Sequence, residues 1–164
     1  MADNIQSFIK ELAFEEALTN HLLGHGWNEV MMNPTEEQLV ENWGRIIYDN
    51  NREIDKLGNH PLTASEMQQV MDKVNVVGSP YEMNRFINAQ EVCIKRDNEA
   101  DTNNCGKEVY LKIFDPMEIS SGQSRYQIAR QPKFKTADKM GGDRRGDVML
   151  LINGMPVIHI ELKR

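Results

Sequence analysis

The sequence predicts a mixed fold of the α/β (α+β) class, mainly helical in residues 1–90 and built of strands and hairpins in residues 91–164. Two observations support this prediction. Apolar residues recur every three or four positions before Gly78 and alternate with polar residues after Pro80, which are the periods of helices and of half-buried strands. The 164 residues are 40% hydrophobic, enough to bury the core of a single domain.

Three amphipathic helices are predicted in the first part. Capping signals place two of their starts, because Thr35 precedes two glutamates and Thr63 has capping-box spacing to Glu66. In the first helix, Phe14 and Ala17 widen the apolar stripe. The predicted helices span residues 5–23, about 36–51 and about 64–74, and we also expect a short helix after residue 52 and a short turn at 81–87.

Strands are predicted wherever apolar and polar residues alternate. Two such runs joined by a polar stretch form a long hairpin, a third run stands alone, and two runs on either side of Asn153-Gly154 form a tight hairpin. The segment 132–146, rich in Gly, Lys, Arg and Asp, is predicted to be an exposed loop. The predicted strands are 92–94, 109–114, 126–129, 147–152 and 157–163.

Charge and cysteine content narrow the classes of function. The net charge of −6 argues against a protein that binds polyanions over its whole surface, but residues 130–164 hold eight Lys or Arg against four Asp or Glu. This basic part is either a solvated face or a rim that faces phosphates. Two cysteines without a C-x-x-C pair predict reduced thiols and no zinc site. Without an apolar span or a signal peptide, we expect a cytoplasmic protein with no membrane partner.

Acidic and basic groups lie inside the most apolar hairpin. Asp147 opens its first strand, and Glu161 and Lys163 end the second on the same face as His159. A register that pairs Asp147 with Glu161 would place two carboxylates close enough to share Mg²⁺, with Lys163 holding the attacking water or the charge of the transition state. The alternative is a surface hairpin whose charged groups only form salt bridges.

Residues 145–163, RGDVMLLINGMPVIHIELK, resemble the R-P-D-x₅-N-G-L-P-x₄-E-L-K stretch of the restriction (R) subunits of type I restriction-modification enzymes. Both acids, the lysine, the turn and all spacings agree. Further segments resemble blocks of that family in the same order: FEEAL at 14–18, LTASE at 62–66, SPYEMNR at 79–85 and VCIKRD at 92–97. The resemblance covers most of the chain.

This resemblance implies a PD-(D/E)xK nuclease domain over residues 1–164, a restriction-endonuclease-like mixed sheet flanked by helices. It assigns catalysis to Asp147, Glu161 and Lys163, with Asp147 and Glu161 as metal ligands. A glutamate of the first helix often joins such sites. We expect Glu15, at the border of the apolar face, with Glu11 as the rival and Glu16 further from that border.

The resemblance further implies Mg²⁺-dependent cleavage of double-stranded DNA together with modification and specificity subunits. The basic residues around the segment that leads to Asp147 are the expected DNA contacts: Lys133, Lys135, Lys139, Arg144 and Arg145. Two alternatives stay open. One is a catalytically silent module that contacts DNA or docks subunits. The other is a repair or mobile-element nuclease of the same superfamily, against which the N-G-x-P turn and the upstream blocks argue.

The chain departs from the family pattern in two places. Gly146 stands where the family usually has proline, and we expect it to add backbone freedom beside a metal ligand. The family's next strand, helix and Q-x-x-x-Y motif do not follow Arg164, so we expect a domain that is truncated at its C-terminal side. No G-x-x-x-x-G-K-[ST] phosphate loop occurs, so ATP would enter only through motor domains that this chain lacks.

Overall fold

The computed structural model describes residues 2–53, 57–87, 91–114, 122–135 and 144–162. The chain divides into two compact units, one of Met1–Leu39 with Arg125–Arg164 and one of Val40–Ser124. The mixed α/β class is confirmed. In chain order the elements are α1 (Ala2–Leu23), β1 (Glu29–Met32), α2 (Glu36–Asn51), α3 (Ala64–Asn75), α4 (Pro80–Ile87), β2 (Glu91–Lys95), β3 (Glu108–Lys112), β4 (Tyr126–Arg130), β5 (Lys133–Phe134), β6 (Arg144–Arg145), β7 (Val148–Ile152) and β8 (Met155–Ile160).

A four-stranded mixed sheet with the order β1-β4-β7-β8 forms the centre of the first unit. β1 is parallel to β4, whereas β7 is antiparallel to both β4 and β8. The sequence predicts β4, β7 and β8. It does not predict β1, because a strand of four residues is too short to show a clear alternation of period two.

Both faces of this sheet are covered around β7, whose sequence is a continuous apolar run. On one face Val148 packs with Leu18 of α1, and on the other Met149 packs with Leu39 from the first turn of α2. Burial on both faces explains why β7 is apolar throughout rather than alternating. The same arrangement gives Asp147, one residue before β7, a rigid support.

The second unit combines α3, α4 and the rest of α2 with the antiparallel hairpin of β2 and β3. The predicted capping box is confirmed: Thr63 Oγ1 accepts from the Glu66 N–H at 3.2 Å, and the Thr63 N–H donates to Glu66 Oε2 at 2.9 Å. Glu66 Oε2 also accepts from Arg96 Nη1 at 2.8 Å, and both side chains are fully buried. This ion pair ties the start of α3 to the end of β2.

Three local predictions need correction or completion. The turn predicted at 81–87 is wrong, because this segment is α4, in which Pro80 occupies the first helical position that proline favours. The loop predicted at 132–146 contains a short ribbon, with Lys133 opposite Arg145 in β5 and β6, while residues 136–143 lie outside the described residues. Where a short helix is predicted after residue 52, residues 52–53 and 57–59 form turns, and residues 54–56 lie outside the described residues.

None of the helices in the described part of the chain combines the length and the hydropathy needed to cross a membrane.

Candidate active site

The hairpin of β7 and β8 has the register expected from the sequence where it leads to the acidic residues. Val148 lies opposite Ile160 and Met149 opposite His159, and a bulge shifts the pairing only beyond Leu150. At the turn, Asn153 and Gly154 both have positive φ, 51° and 83°, as a two-residue hairpin turn requires. The pairing therefore brings the residues that flank the two strands, on the side away from the turn, toward each other.

Asp147 is half-buried and is held at two points. Its Oδ2 accepts a hydrogen bond from the Leu162 N–H at 2.6 Å, and its backbone carbonyl accepts one from the Gln131 N–H at 2.7 Å. Leu162 stands between Glu161 and Lys163 in the sequence. The Asp147 carboxylate is thus tied to the middle of the E-x-K segment. Glu161 is exposed, and Lys163 lies outside the described residues.

Among the α1 residues whose side chains the structure describes, from Glu11 onward, Glu15 is the buried acid. Its side chain is 3% exposed, whereas Glu11 is half-buried and Glu16 is exposed. Glu15 Oε1 accepts from Arg130 Nε at 2.8 Å, and Glu15 Oε2 accepts from Gln131 Nε2 at 3.0 Å. Glu15 is therefore linked to Asp147 through Gln131, whose side chain binds Glu15 and whose backbone N–H binds the Asp147 carbonyl.

The sequence gives no direct signal for Arg130 or Gln131. Both lie at the end of β4, and Gln131 has a φ of +51°, in the left-handed region that non-glycine residues seldom adopt. The partners of Glu15 are more than a hundred residues away in the chain. Only the folded structure identifies them.

Gly146 is buried, and a side chain at this position would meet two neighbours. A Cβ at this position would lie 2.8 Å from His159 Nε2 and 3.3 Å from Pro132 Cγ. The nearer of these atoms is at the end of the exposed His159 side chain, so a Cβ at position 146 would require the imidazole to turn aside.

The predicted DNA contacts differ in their surroundings. Arg144 and Arg145 are exposed, and Lys133 is half-buried. Lys133 and Arg145 are directly opposite in the ribbon, and such like charges repel each other unless an anion lies between them. Lys139 is outside the described residues.

Lys135 binds the Glu37 carboxylate of α2. The hydrogen bond from Lys135 is the largest cause that lowers the pKa of Glu37 to about 2. Both side chains are exposed, 76% for Lys135 and 62% for Glu37. The positive charge of Lys135 is therefore partly compensated by Glu37. A lysine that only binds phosphate would have no such partner.

The donor set near Asp147 suits a hard cation. Within the ranges that the structure describes, no group of three or more His, Cys, Asp or Glu side chains is arranged to hold a metal ion. The acidic ligands expected from the sequence are the two carboxylates of Asp147 and Glu161. Mg²⁺ commonly binds through one or two carboxylates and keeps several waters, so the residues present fit magnesium.

Comparison with known proteins gives consistent relatives. The family described as "Type I restriction enzyme R protein N terminus" matches residues 8–164. A type I restriction enzyme endonuclease subunit of Staphylococcus saprophyticus is 34% identical over 154 residues, which are 94% of this chain and 15% of that protein. One from Staphylococcus aureus is 30% identical over 158 residues, 96% of this chain and again 15% of the relative. The chain spans about 15% of the length of these curated relatives.

Proposed function

This chain belongs to the family of type I restriction enzyme R protein N termini, and on that basis we propose that it carries the nuclease centre of such an enzyme. The proposed reaction is the hydrolysis of phosphodiester bonds in double-stranded DNA with Mg²⁺. The proposed partners are the modification and specificity subunits, which would select the DNA sequence. The name endonuclease subunit belongs to the relatives, and its extension to this chain is part of the proposal.

One hydrogen bond carries the proposal. The bond from the Leu162 N–H to Asp147 Oδ2, at 2.6 Å, places the first acid of D-x₁₃-E-x-K beside the residue between its second acid and its lysine. In a surface hairpin whose charged groups only form salt bridges, the Asp147 carboxylate would bind a cationic side chain. Here it binds the main chain at the end of the other strand. The contact supports a single site formed by the two ends of the hairpin.

We assign a role to each residue of this site. Asp147 and Glu161 would hold Mg²⁺, which when bound would polarise the scissile phosphate and lower the pKa of a coordinated water. The ammonium group of Lys163 would stabilise the negative charge that develops on the phosphate. Glu15 would keep the site in place from α1.

The ribbon of β5 and β6 would hold the DNA backbone. Arg145 lies two residues before Asp147, and Lys133 lies opposite Arg145. A phosphate between these two cations would remove their repulsion. The DNA would then enter beside the residue that opens the catalytic hairpin.

A second function is favoured by this same ribbon. Because its cations do not depend on Asp147, the chain could bind DNA or dock another subunit without cutting. The substitution Asp147→Asn distinguishes the two functions. In a nuclease it abolishes cleavage and leaves DNA affinity unchanged, whereas in a silent module there is no cleavage to lose.

The test uses the complete R subunit assembled with its partners on duplex DNA, and calorimetry of this chain with Mg²⁺ or Mn²⁺. We expect Asp147→Asn and Glu161→Gln to remove cation binding and cleavage. Glu16→Gln is the matched control, because it removes an exposed acid of α1 that we place outside the site. Equal cation binding by the wild type and Asp147→Asn would refute the metal assignment. Loss of DNA binding in Lys133→Ala, with no cleavage by the wild type in Mg²⁺, would favour the silent module.

A further inference from the structure

Gln131 lies where three segments of the first unit meet. Its backbone N–H donates to the Asp147 carbonyl at 2.7 Å, and its Nε2 donates to Glu15 Oε2 at 3.0 Å. Its Oε1 accepts from Arg145 Nη1 at 3.4 Å. One side chain and its own amide thus connect α1, the basic ribbon and the start of β7.

The backbone of this segment supports the same connection. The φ of +51° at Gln131 is unfavourable for a residue with a side chain, and such strain persists only where the surroundings hold it. The next residue takes part as well, because the Gly146 N–H donates to the Pro132 carbonyl at 3.0 Å. The pair of residues 131–132 therefore holds residues 146–147 through two backbone hydrogen bonds.

The burial of Glu15 makes its hydrogen bond to Gln131 important for stability. A carboxylate that is 3% exposed must have its charge compensated by hydrogen bonds or a cation. Arg130 compensates one oxygen of Glu15 and Gln131 the other. The contact with Glu15 Oε2 also fixes the orientation of the Gln131 side chain.

We propose that Gln131 is a positioning residue for the nuclease centre: it links the buried Glu15 to the main chain of Asp147 and so fixes the direction in which the Asp147 carboxylate leaves β7. Glu15 then acts through Gln131, without touching the substrate. This inference rests on the proposed function of Asp147. It also explains why a strained glutamine, rather than glycine, stands at the end of β4.

Gln131→Gly separates positioning from stability. Glycine adopts positive φ without strain, so the substitution removes the side-chain link while relieving the backbone. The relief of backbone strain opposes the loss of the donor to the buried Glu15 Oε2, so we expect the melting temperature in the absence of metal to fall only slightly. Partners of metal ligands typically contribute about 10-fold to 100-fold in metal affinity or activity. We therefore expect Mg²⁺ affinity by calorimetry to fall about tenfold and the cleavage rate of the assembled enzyme to fall at least as much.

A second readout needs neither metal nor cleavage. The Leu162 N–H binds the Asp147 carboxylate, so its hydrogen-exchange protection reports the position of that carboxylate. We expect faster exchange of Leu162 in Gln131→Gly and in Glu15→Gln, and no further increase when both are combined, because the two act on one link. Gln131→Asn, which tolerates positive φ and keeps an amide, should retain part of the protection. Gln123→Gly, at an exposed glutamine, is the matched control.

The outcomes separate this inference from the proposed function. If the wild type and Asp147→Asn bind Mg²⁺ equally, the proposed metal site itself fails. If the wild type binds Mg²⁺ at Asp147 while Gln131→Gly keeps wild-type affinity and Leu162 protection, only the positioning role is refuted. Additive effects of Glu15→Gln and Gln131→Gly would likewise refute the link between them.

Discussion

Replacing Asp147 by alanine should loosen the end of β8 as well as remove the proposed metal ligand, whereas replacing it by asparagine should remove the ligand with little loss of stability. The reason is the hydrogen bond from the Leu162 N–H to Asp147 Oδ2, at 2.6 Å. Alanine cannot accept this bond. The amide oxygen of asparagine can accept it, although it carries no charge.

The magnitudes follow from the kind of hydrogen bond. A hydrogen bond to a charged group contributes about 1.5–3 kcal/mol to stability. Because Asp147 is only half-buried, we take the lower end, about 1.5 kcal/mol, for Asp147→Ala, and about 0.5 kcal/mol for Asp147→Asn from the difference between charged and neutral acceptors. At about 2–4 °C per kcal/mol for a chain of this size, the melting temperature should fall by roughly 3–6 °C in the first and roughly 1–2 °C in the second.

Calorimetric melting of the metal-free chain measures these shifts, and titration with Mg²⁺ then measures affinity for both variants. We expect both to lose cation binding and only Asp147→Ala to lose substantial stability. Equal melting temperatures for alanine and asparagine variants would show that the Asp147–Leu162 bond does not stabilise the hairpin. The Asp147–Leu162 contact would then give no support to a site formed before the metal binds.

Three other substitutions have defined outcomes. Lys163→Ala should abolish cleavage by the assembled enzyme without changing the melting temperature, because its role is confined to the transition state; unchanged cleavage would contradict the assignment. Glu37→Gln should remove the ion pair with Lys135, raise affinity for duplex DNA measured by fluorescence anisotropy and steepen the salt slope by up to about 0.9, whereas an unchanged slope would place the DNA elsewhere. The same ion pair, with the pKa of Glu37 lowered from 4.5 to about 2, should stabilise the wild type over Glu37→Gln above pH 4.5, and this advantage should disappear as the pH falls toward 2. Gly146→Ala should destabilise the chain by less than about 1 kcal/mol, because the exposed imidazole of His159 can turn away from the new Cβ; a calorimetric melting temperature lower by more than about 4 °C would contradict this.

The contact between Gly146 and His159 also bears on the departure from the family pattern at this position. Where the family usually has proline, this chain has Gly146, and the sequence comparison suggests a more flexible backbone beside Asp147. In the structure the missing side chain is matched by a larger neighbour across the hairpin, with His159 Nε2 only 2.8 Å from the place of a Cβ. The absence of a side chain at position 146 thus leaves room for the imidazole of His159 beside Asp147.

The sequence by itself determined the features that depend on near neighbours in the chain. Periods of about 3.6 and of two residues gave the class of fold, and capping residues gave the starts of α2 and α3, because these signals arise from backbone geometry within a few residues. The two-residue turn at Asn153-Gly154 is local in the same way, but it pairs Ile152 with Met155, and the register near Asp147 depends on the bulge that shifts this pairing beyond Leu150. Short elements such as β1 and α4 were not predicted, because each contains too few repeats of its period to be recognised.

Only the tertiary structure decided which polar groups meet. The sequence placed Phe14 on the apolar face of α1, yet it is 60% exposed, while its neighbour Glu15 is 3% exposed. A helix fixes the angle between these two side chains but not which of them faces the sheet. That choice was made by Arg130 and Gln131, which lie more than a hundred residues away and supply the hydrogen bonds that a buried carboxylate requires. Such compensation between distant groups has no period in the sequence, so it emerges only when the chain is folded.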